Sequence, residues 1–267
     1  MVGYSEGMPD FGGRVLIVTS STGIGAATVR LAAGAGARLV VATSDGPSGW
    51  ELAAETGAEC WVGDLLLPTA ADSVVAQCLS KFGRVDALFN AAGLSGRRFG
   101  DGTLDECTDE GWEVTLANNL KIPFLMSRAV IRRMLQQPAG EDGQRGAILN
   151  MGSVLDAFPE PRHFATHAYA AAKGGVAALS RSMAAYYAPH KIRVNVIAPG
   201  LARTPASEPA EAHPELGPFL KKKQPLSDGM VDAEDVARAA LFLLSNDARS
   251  ITGAVLRVDG GWSVAGA

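Results

Sequence analysis

Short runs of aliphatic and β-branched residues recur along the chain, and most are followed by an alanine-rich stretch of helical character. Arg14–Thr19 precedes the helical pattern Ala26–Ala35, and Arg38–Thr43 comes next. Further strand-like runs stand at Glu59–Val62, Ala87–Asn90, Gly146–Met151, Arg193–Ala198 and Val255–Val258. Near-continuous apolar runs of this length mark strands covered on both faces, and their alternation with helices calls for crossover connections. The pattern predicts an α/β fold: one Rossmann-type, doubly wound sheet of about seven parallel strands with helices on both faces. The whole chain, 1–267, is expected to form a single domain, with no internal repeat and no interdomain linker.

Two segments break the rhythm, Gly96 to Asp109 and Arg203 to Met230, and both follow strand ends. In an open α/β sheet the ligand crevice lies beyond the carboxyl ends of the strands, so both are placed to cover a site. The second, about 203–230, is expected to be a mobile substrate lid.

Composition narrows the function classes. Twenty-four basic and 28 acidic residues give a net charge of -4, without the basic face that nucleic acid requires. No apolar run approaches the ~20 residues of a membrane helix. The start of the chain, Met1 to Phe11, lacks the apolar core of a signal peptide. Cys60, Cys78 and Cys107 show no metal-ligand spacing, so the expectation is reduced thiols in cytoplasm and no metal.

After the first strand, Thr19-Ser20-Ser21-Thr22-Gly23-Ile24-Gly25-Ala26-Ala27 leads straight into a helix. Glycines let backbone amides approach a phosphate, and the start of a helix attracts its charge. Taken alone, this turn is equally compatible with a structural helix start. Tyr169 and Lys173 stand four apart in an alanine-rich helical stretch and so share a face. An ammonium beside a phenol whose ordinary pKa is about 10 favours the phenolate, which makes Tyr169 a candidate base. Ser153 follows the strand Gly146–Met151, and the tyrosine helix comes after it, so hydroxyl and phenol can converge at the sheet's carboxyl edge.

The glycine turn, Asp64, Asn90-Ala91-Ala92-Gly93, Asn119, Ser153, Tyr169-Ala170-Ala171-Ala172-Lys173 and Pro199-Gly200 with Thr204 occur in an ordered set. From about Gly13 to Trp262 the chain thereby resembles the short-chain dehydrogenase/reductase family. The resemblance implies an NAD(P)-dependent oxidoreductase that interconverts a small-molecule secondary alcohol and a ketone, with Tyr169 as general acid/base. Hydride would pass between the carbinol carbon and the nicotinamide while Tyr169 moves the hydroxyl proton. Ser153 would hydrogen-bond the substrate oxygen, Lys173 would hold the ribose hydroxyls and tune the tyrosine, and Asn119 would anchor a water on the proton path. Cofactor contacts are implied for Thr19, Ser21, Gly23, Ile24, Gly25, Thr43, Asp64, Leu65, Asn90, Ala91, Gly93, Pro199, Gly200, Ala202 and Thr204, besides Tyr169 and Lys173. Asp64 would meet the adenine, and the Pro199–Thr204 turn the carboxamide. The resemblance also implies a homo-oligomer, tetramer or dimer, packed through Asp109–Gln136, Tyr169–Ala188 and the stretch Val258 to Trp262.

The glycine turn is one residue shorter than the family pattern and lacks its first glycine, Ser20 and Ser21 standing there instead. A reshaped turn with binding retained is expected. Thr43 occupies the place of the carboxylate that bonds the NAD ribose, but no basic residue is near and Asp45 would repel a phosphate, so NAD is favoured over NADP. Arg97 and Arg98 are candidates for an anionic or hydroxylated substrate, with a solvated loop tip as the alternative. His163 and His167 are left out of the catalytic set. Two other readings are a cofactor-binding sensor without turnover and a non-redox epimerase or dehydratase on the same fold.

Overall fold

The computed structural model describes residues 9–266, and expectations that touch residues 1–8 and 267 lie outside them. The strands are β1 Val15–Val18, β2 Arg38–Thr43, β3 Glu59–Val62, β4 Ala87–Asn90, β5 Gly146–Met151, β6 Ile192–Pro199, two short ones, β7 Ala202–Arg203 and β8 Val231–Asp232, and β9 Val255–Val258. The helices are α1 Gly23–Gly34, α2 Gly46–Thr56, α3 Ala70–Phe82, α4 Asp109–Leu116, α5 Ile122–Gln136, α6 His167–Tyr187, α7 Glu208–Glu211, α8 Leu216–Lys223 and α9 Ala233–Leu244. Seven strands form one parallel sheet in the order β3-β2-β1-β4-β5-β6-β9. The order reverses between β1 and β4, which opens a crevice at their carboxyl ends.

The period of two along each strand sorts side chains to two cores. Leu16, Val18, Phe89 and Leu149 join a layer that includes Val29 and Ala32 of α1 and Leu241 and Leu244 of α9. Val15, Ile17, Leu88 and Ile148 join the opposite layer, with Val74 of α3 and Met126 and Val130 of α5. A third cluster unites Val154, Leu216, Leu220, Met230 and Trp262.

Local chemistry sets the helix ends. Asp45 accepts a hydrogen bond from the Ser48 amide and so starts α2, which ends at Gly57 with φ 74°, a left-handed angle that glycine adopts without Cβ strain. Thr108 starts α4 by accepting from the Gly111 amide at 2.9 Å. Between α4 and α5, residues Ala117–Lys121 form a single π turn, an inserted residue of the kind that clusters at functional sites.

The segment expected as a lid is an excursion carrying α7 and α8. Its two roots pair as β7 and β8, Ala202 opposite Val231 and Arg203 opposite Asp232. Gln224, fully buried, holds the inside: its side chain accepts from the Leu201 amide and donates to the carbonyls of Leu201 and Gly229. Among the described residues, no helix is long and apolar enough to cross a membrane.

Candidate active site

The carboxyl ends of β1, β4, β5 and β6 deliver the anticipated groups to one place. Ser153 lies just beyond β5 and is buried; its hydroxyl accepts from the Leu155 amide at 3.2 Å. That bond uses a lone pair and leaves the hydroxyl proton free to donate elsewhere. Tyr169, in the first turn of α6, is half-buried. One turn on, Lys173 is buried; its ammonium donates to the Met151 carbonyl at 2.9 Å and sits 5.4 Å from the Tyr169 ring centroid. Only one of its three donors is held by that strand end, so two remain for other partners.

Burial acts on both members of the pair. Burial pushes the Tyr169 phenol up to about 12; its hydrogen bond with Ser153 works the other way, and Asp156 reinforces the rise. Burial also brings the Lys173 ammonium down to about 8, against the opposing pull of Asp156. Desolvation outweighs the four-residue pairing because both groups leave water together. Within the chain's own groups, the Tyr169 phenol therefore keeps its proton near neutral pH.

Asn119 stands on the π turn and is fully buried. Its amide donates to the carbonyls of Leu94 and Thr115, both at 2.9 Å, and its oxygen accepts from the Leu94 amide at 3.3 Å. Both amide hydrogens are thus committed, and the side chain clips the segment after β4 to the π turn. Gly93 permits this approach, since a Cβ there would lie 2.6 Å from Asn119 Oδ1 and 3.5 Å from Lys173 Nζ.

The glycine turn fits an anionic cofactor on structural grounds. Among the described residues, no side chain caps α1 and no acidic residue sits in its first turn, which leaves its leading amides for an anion. Gly23, at φ 52°, touches the lid: a Cβ would lie 2.9 Å from Thr204 Cγ2. Ile24 packs against the core, and a Cβ on Gly25 would come within 2.6 Å of the Ser20 side chain. Ser21, beside the lost glycine, bonds Thr43 at 2.9 Å and Ser48 at 2.6 Å through hydroxyls. The shortened turn is thereby tied to the end of β2 and the start of α2. Asp45 and Ser44 are exposed at that corner.

Other anticipated contacts divide into linings and braces. Asp64 is exposed and accepts from the Leu66 amide at 2.8 Å, while Leu65 is buried. Thr19 bridges strand ends, its hydroxyl accepting from the Ala92 amide at 3.2 Å. The Asn90 side chain is buried on the α5 side of the sheet and donates to Ser127 and Asn150. Any part it takes at the crevice falls to its backbone and to Ala91 and Gly93, because its amide braces β4 against β5. Pro199 ends β6, the Gly200 amide donates to the Val258 carbonyl at 3.1 Å, Ala202 lies in β7, and Thr204 forms a reciprocal cap with Ser207.

Arg97 and Arg98 are exposed on the loop after β4, and each makes a contact within the chain. Arg97 donates to the His163 carbonyl and lies over Phe164, and Arg98 lies over Phe99. Trp262, one end of the expected interface stretch, turns inward and donates from its indole to the Phe158 carbonyl at 3.1 Å. Sequence reasoning missed Gln224 and Asp101. The latter's carboxylate accepts from the Ala168 and Tyr169 amides, both at 3.0 Å; flanking glycines, Gly100 and Gly102, were its only signal.

A family model described as enoyl-(acyl carrier protein) reductase matches residues 18–263. D-threitol dehydrogenase of Mycolicibacterium smegmatis is 35% identical over 262 residues, covering 94% of either chain. A Xanthobacter autotrophicus protein named inactive 2-(S)-hydroxypropyl-CoM dehydrogenase 2 is 38% identical over 238 residues, covering 87% of this chain and 97% of its own length. Among solved structures, 3-ketoacyl-(acyl-carrier-protein) reductase from Brucella melitensis complexed with NADH superposes with a TM-score of 0.84 at 28% identity, covering 96% of this chain and all of that one.

Proposed function

Because the chain belongs to the short-chain dehydrogenase/reductase family and is an NAD(P)-dependent oxidoreductase of alcohols and ketones, we propose that Tyr169 moves the proton and that NAD is the preferred cofactor. The observation that carries this reading is the convergence of Ser153, Tyr169 and Lys173 beyond β5, with the lysine fixed to the Met151 carbonyl. A bound nicotinamide supplies the hydride acceptor or donor and, when oxidised, a positive charge that favours the phenolate. Ser153, its lone pair occupied by the Leu155 amide, points its proton at the substrate oxygen and polarises it. Tyr169 gives a proton to that oxygen in reduction and takes it back in oxidation. Lys173 holds ribose hydroxyls with its free donors, and its charge opposes the burial that raises the phenol.

The start of α1, the Ser21–Thr43–Ser48 hydroxyls and the Pro199–Thr204 turn would hold the dinucleotide. Asp64 with Leu65 lies on the adenine side. Asp45, exposed at the end of β2 where it would repel a phosphate, supports NAD over NADP. The substrate is a small secondary alcohol or ketone, admitted under the excursion that carries α7 and α8. A groove of about 620 Å³ between α4, α5 and α6, lined by Trp112, Leu116, Leu120, Phe124 and Leu179, supports subunit packing into a dimer or tetramer. Three free cysteines suit the reducing cytoplasm.

The test is a screen of secondary alcohols and ketones with NAD, NADP and their reduced forms, reading absorbance of the reduced nicotinamide. Steady turnover by the parent chain that Tyr169→Phe abolishes supports the assignment. Binding without turnover would favour a sensor, and turnover unchanged in Tyr169→Phe would remove the proton-transfer role.

A further inference from the structure

Helix α6 starts without a cap of its own. Thr166, just before its first turn, bonds no helical amide with its side chain; its hydroxyl donates to the Phe164 carbonyl at 3.3 Å instead. Helix geometry leaves the leading amides without intrahelical acceptors, and the segment after β4 takes three of them. The His167 amide donates to the Gly102 carbonyl at 3.1 Å. The Ala168 amide donates to Asp101 Oδ1 and the Tyr169 amide to Asp101 Oδ2, both at 3.0 Å. An ordinary cap residue reaches one such amide from next door. Here one carboxylate, 67 and 68 residues distant, reaches two, and one belongs to the tyrosine itself.

Asp101 is in turn held tightly. It is buried, and its own amide donates to the Gly96 carbonyl at 3.1 Å. A Cβ on Gly111 would strike the backbone of Gly100 and Asp101, and one on Gly96 would strike Thr115 Oγ1, so α4 leaves this segment no room to shift. Thr108, which starts α4, also donates to the Phe99 carbonyl at 3.0 Å. Upstream, Leu94 is clipped to Asn119 through both its amide and its carbonyl. One segment, 94–102, therefore grips the π turn at one end and the tyrosine helix at the other.

Resting on the reading of Tyr169 as acid/base, we propose that Asp101 is a positioning residue. It sets the height and rotation of α6 so that the phenol meets Ser153 and the ammonium of Lys173 lies beneath it. Small displacements of a reacting group lower rates steeply while leaving remote binding intact, so the loss belongs in kcat.

The experiment compares Asp101→Ala, Asp101→Asn, Tyr169→Phe and, as a control for stability alone, Val74→Ala in the α3 core. D-threitol and 1,2-cyclohexanediol serve as probe alcohols with NAD, cofactor binding is read by NADH fluorescence, and amide hydrogen exchange is followed over 167–169. Asp101→Ala should lose roughly tenfold or more in kcat with the NADH Kd within about twofold, and exchange at 167–169 should quicken about tenfold. Asp101→Asn, which keeps one acceptor oxygen, should recover part of both losses. Val74→Ala should lower Tm yet keep kcat and this exchange near the parent's.

The proposal is overturned if Asp101→Ala keeps parental kcat, if its Kd rises in step with the loss, or if Val74→Ala loses as much at equal Tm. Should Asp101→Ala not fold, Asp101→Asn decides by the same readings; should neither probe turn over, exchange over 167–169 decides. Persistent turnover in Tyr169→Phe sinks the acid/base reading, whereas an inert Tyr169→Phe beside a fully active Asp101→Ala sinks only the role of Asp101.

Discussion

Replacing Lys173 with methionine should inactivate the enzyme without weakening the fold. Lys173 is 1% exposed, and burial brings its ammonium from 10.5 to about 8. Keeping it charged at pH 7 therefore costs the folded state about 3 kcal/mol. Methionine fills a similar volume without a charge, but it strands the Met151 carbonyl now bonded at 2.9 Å, a loss of about 1–3 kcal/mol. Lys173→Met should thus lie between equal to the parent and about 2 kcal/mol more stable at pH 7, a Tm rise of up to roughly 4–8 °C. Turnover should meanwhile fall by a factor on the order of 10³. The pH dependence gives a sharper check. The folded value lies below the unfolded one, so the contribution is present in full above 10.5 and is lost as pH falls through about 8. The parent should then gain on the order of 1 kcal/mol on the variant between pH 7 and pH 9. Cys78, whose thiol is pushed by burial to about 12, weakens both proteins above pH 9 and cancels in the comparison. Urea unfolding followed by tryptophan fluorescence at pH 7, 8 and 9 measures the gap. A variant more than about 2 kcal/mol less stable at pH 7, or a gap that does not move with pH, would refute the reasoning.

Gly23→Ala forces a side chain onto φ 52° and into Thr204 Cγ2 at 2.9 Å; calorimetry should show cofactor affinity down about tenfold and Tm lower, from backbone strain of about 1–2 kcal/mol. Adding Thr204→Ser removes the struck methyl and should restore only the steric share; full recovery would deny the backbone strain. Gly93→Ala places a Cβ 2.6 Å from Asn119 Oδ1, so kcat should fall about tenfold with an overpacking loss of about 1–3 kcal/mol, and an unaltered kcat would mean the Asn119 clip is dispensable. Steady-state kinetics should give kcat/KM with NAD roughly tenfold or more above NADP, about 1.4 kcal/mol; a preference for NADP would show that the exposed Asp45 does not set the choice.

The main strands were legible because β1, β4, β5 and β6 are buried along their whole lengths, and a strand covered on both faces must read as an unbroken apolar run. Tyr169 and Lys173 were legible for a different reason, since four-residue spacing on a helix is geometry that sequence alone provides. Their titration was not, because it depends on how completely the neighbouring loops exclude water. The π turn carries no signal in hydrophobic periodicity. β7 and β8, two residues each, are too short to show a period at all. Asp101 stayed hidden because its partners lie 67 and 68 residues away, beyond the reach of any local capping pattern. Asn90 was expected at the site, and its work as a brace was not legible, since its direction depends on the hydroxyl of Ser127 across the layer.

The pairing of Ala202 with Val231 and Arg203 with Asp232 gives the long excursion a closed base. A flap whose feet are tied together can vary in length and sequence on its exposed face without pulling on the end of β6, as long as Leu216 and Leu220 keep their seats against Val154 and Trp262.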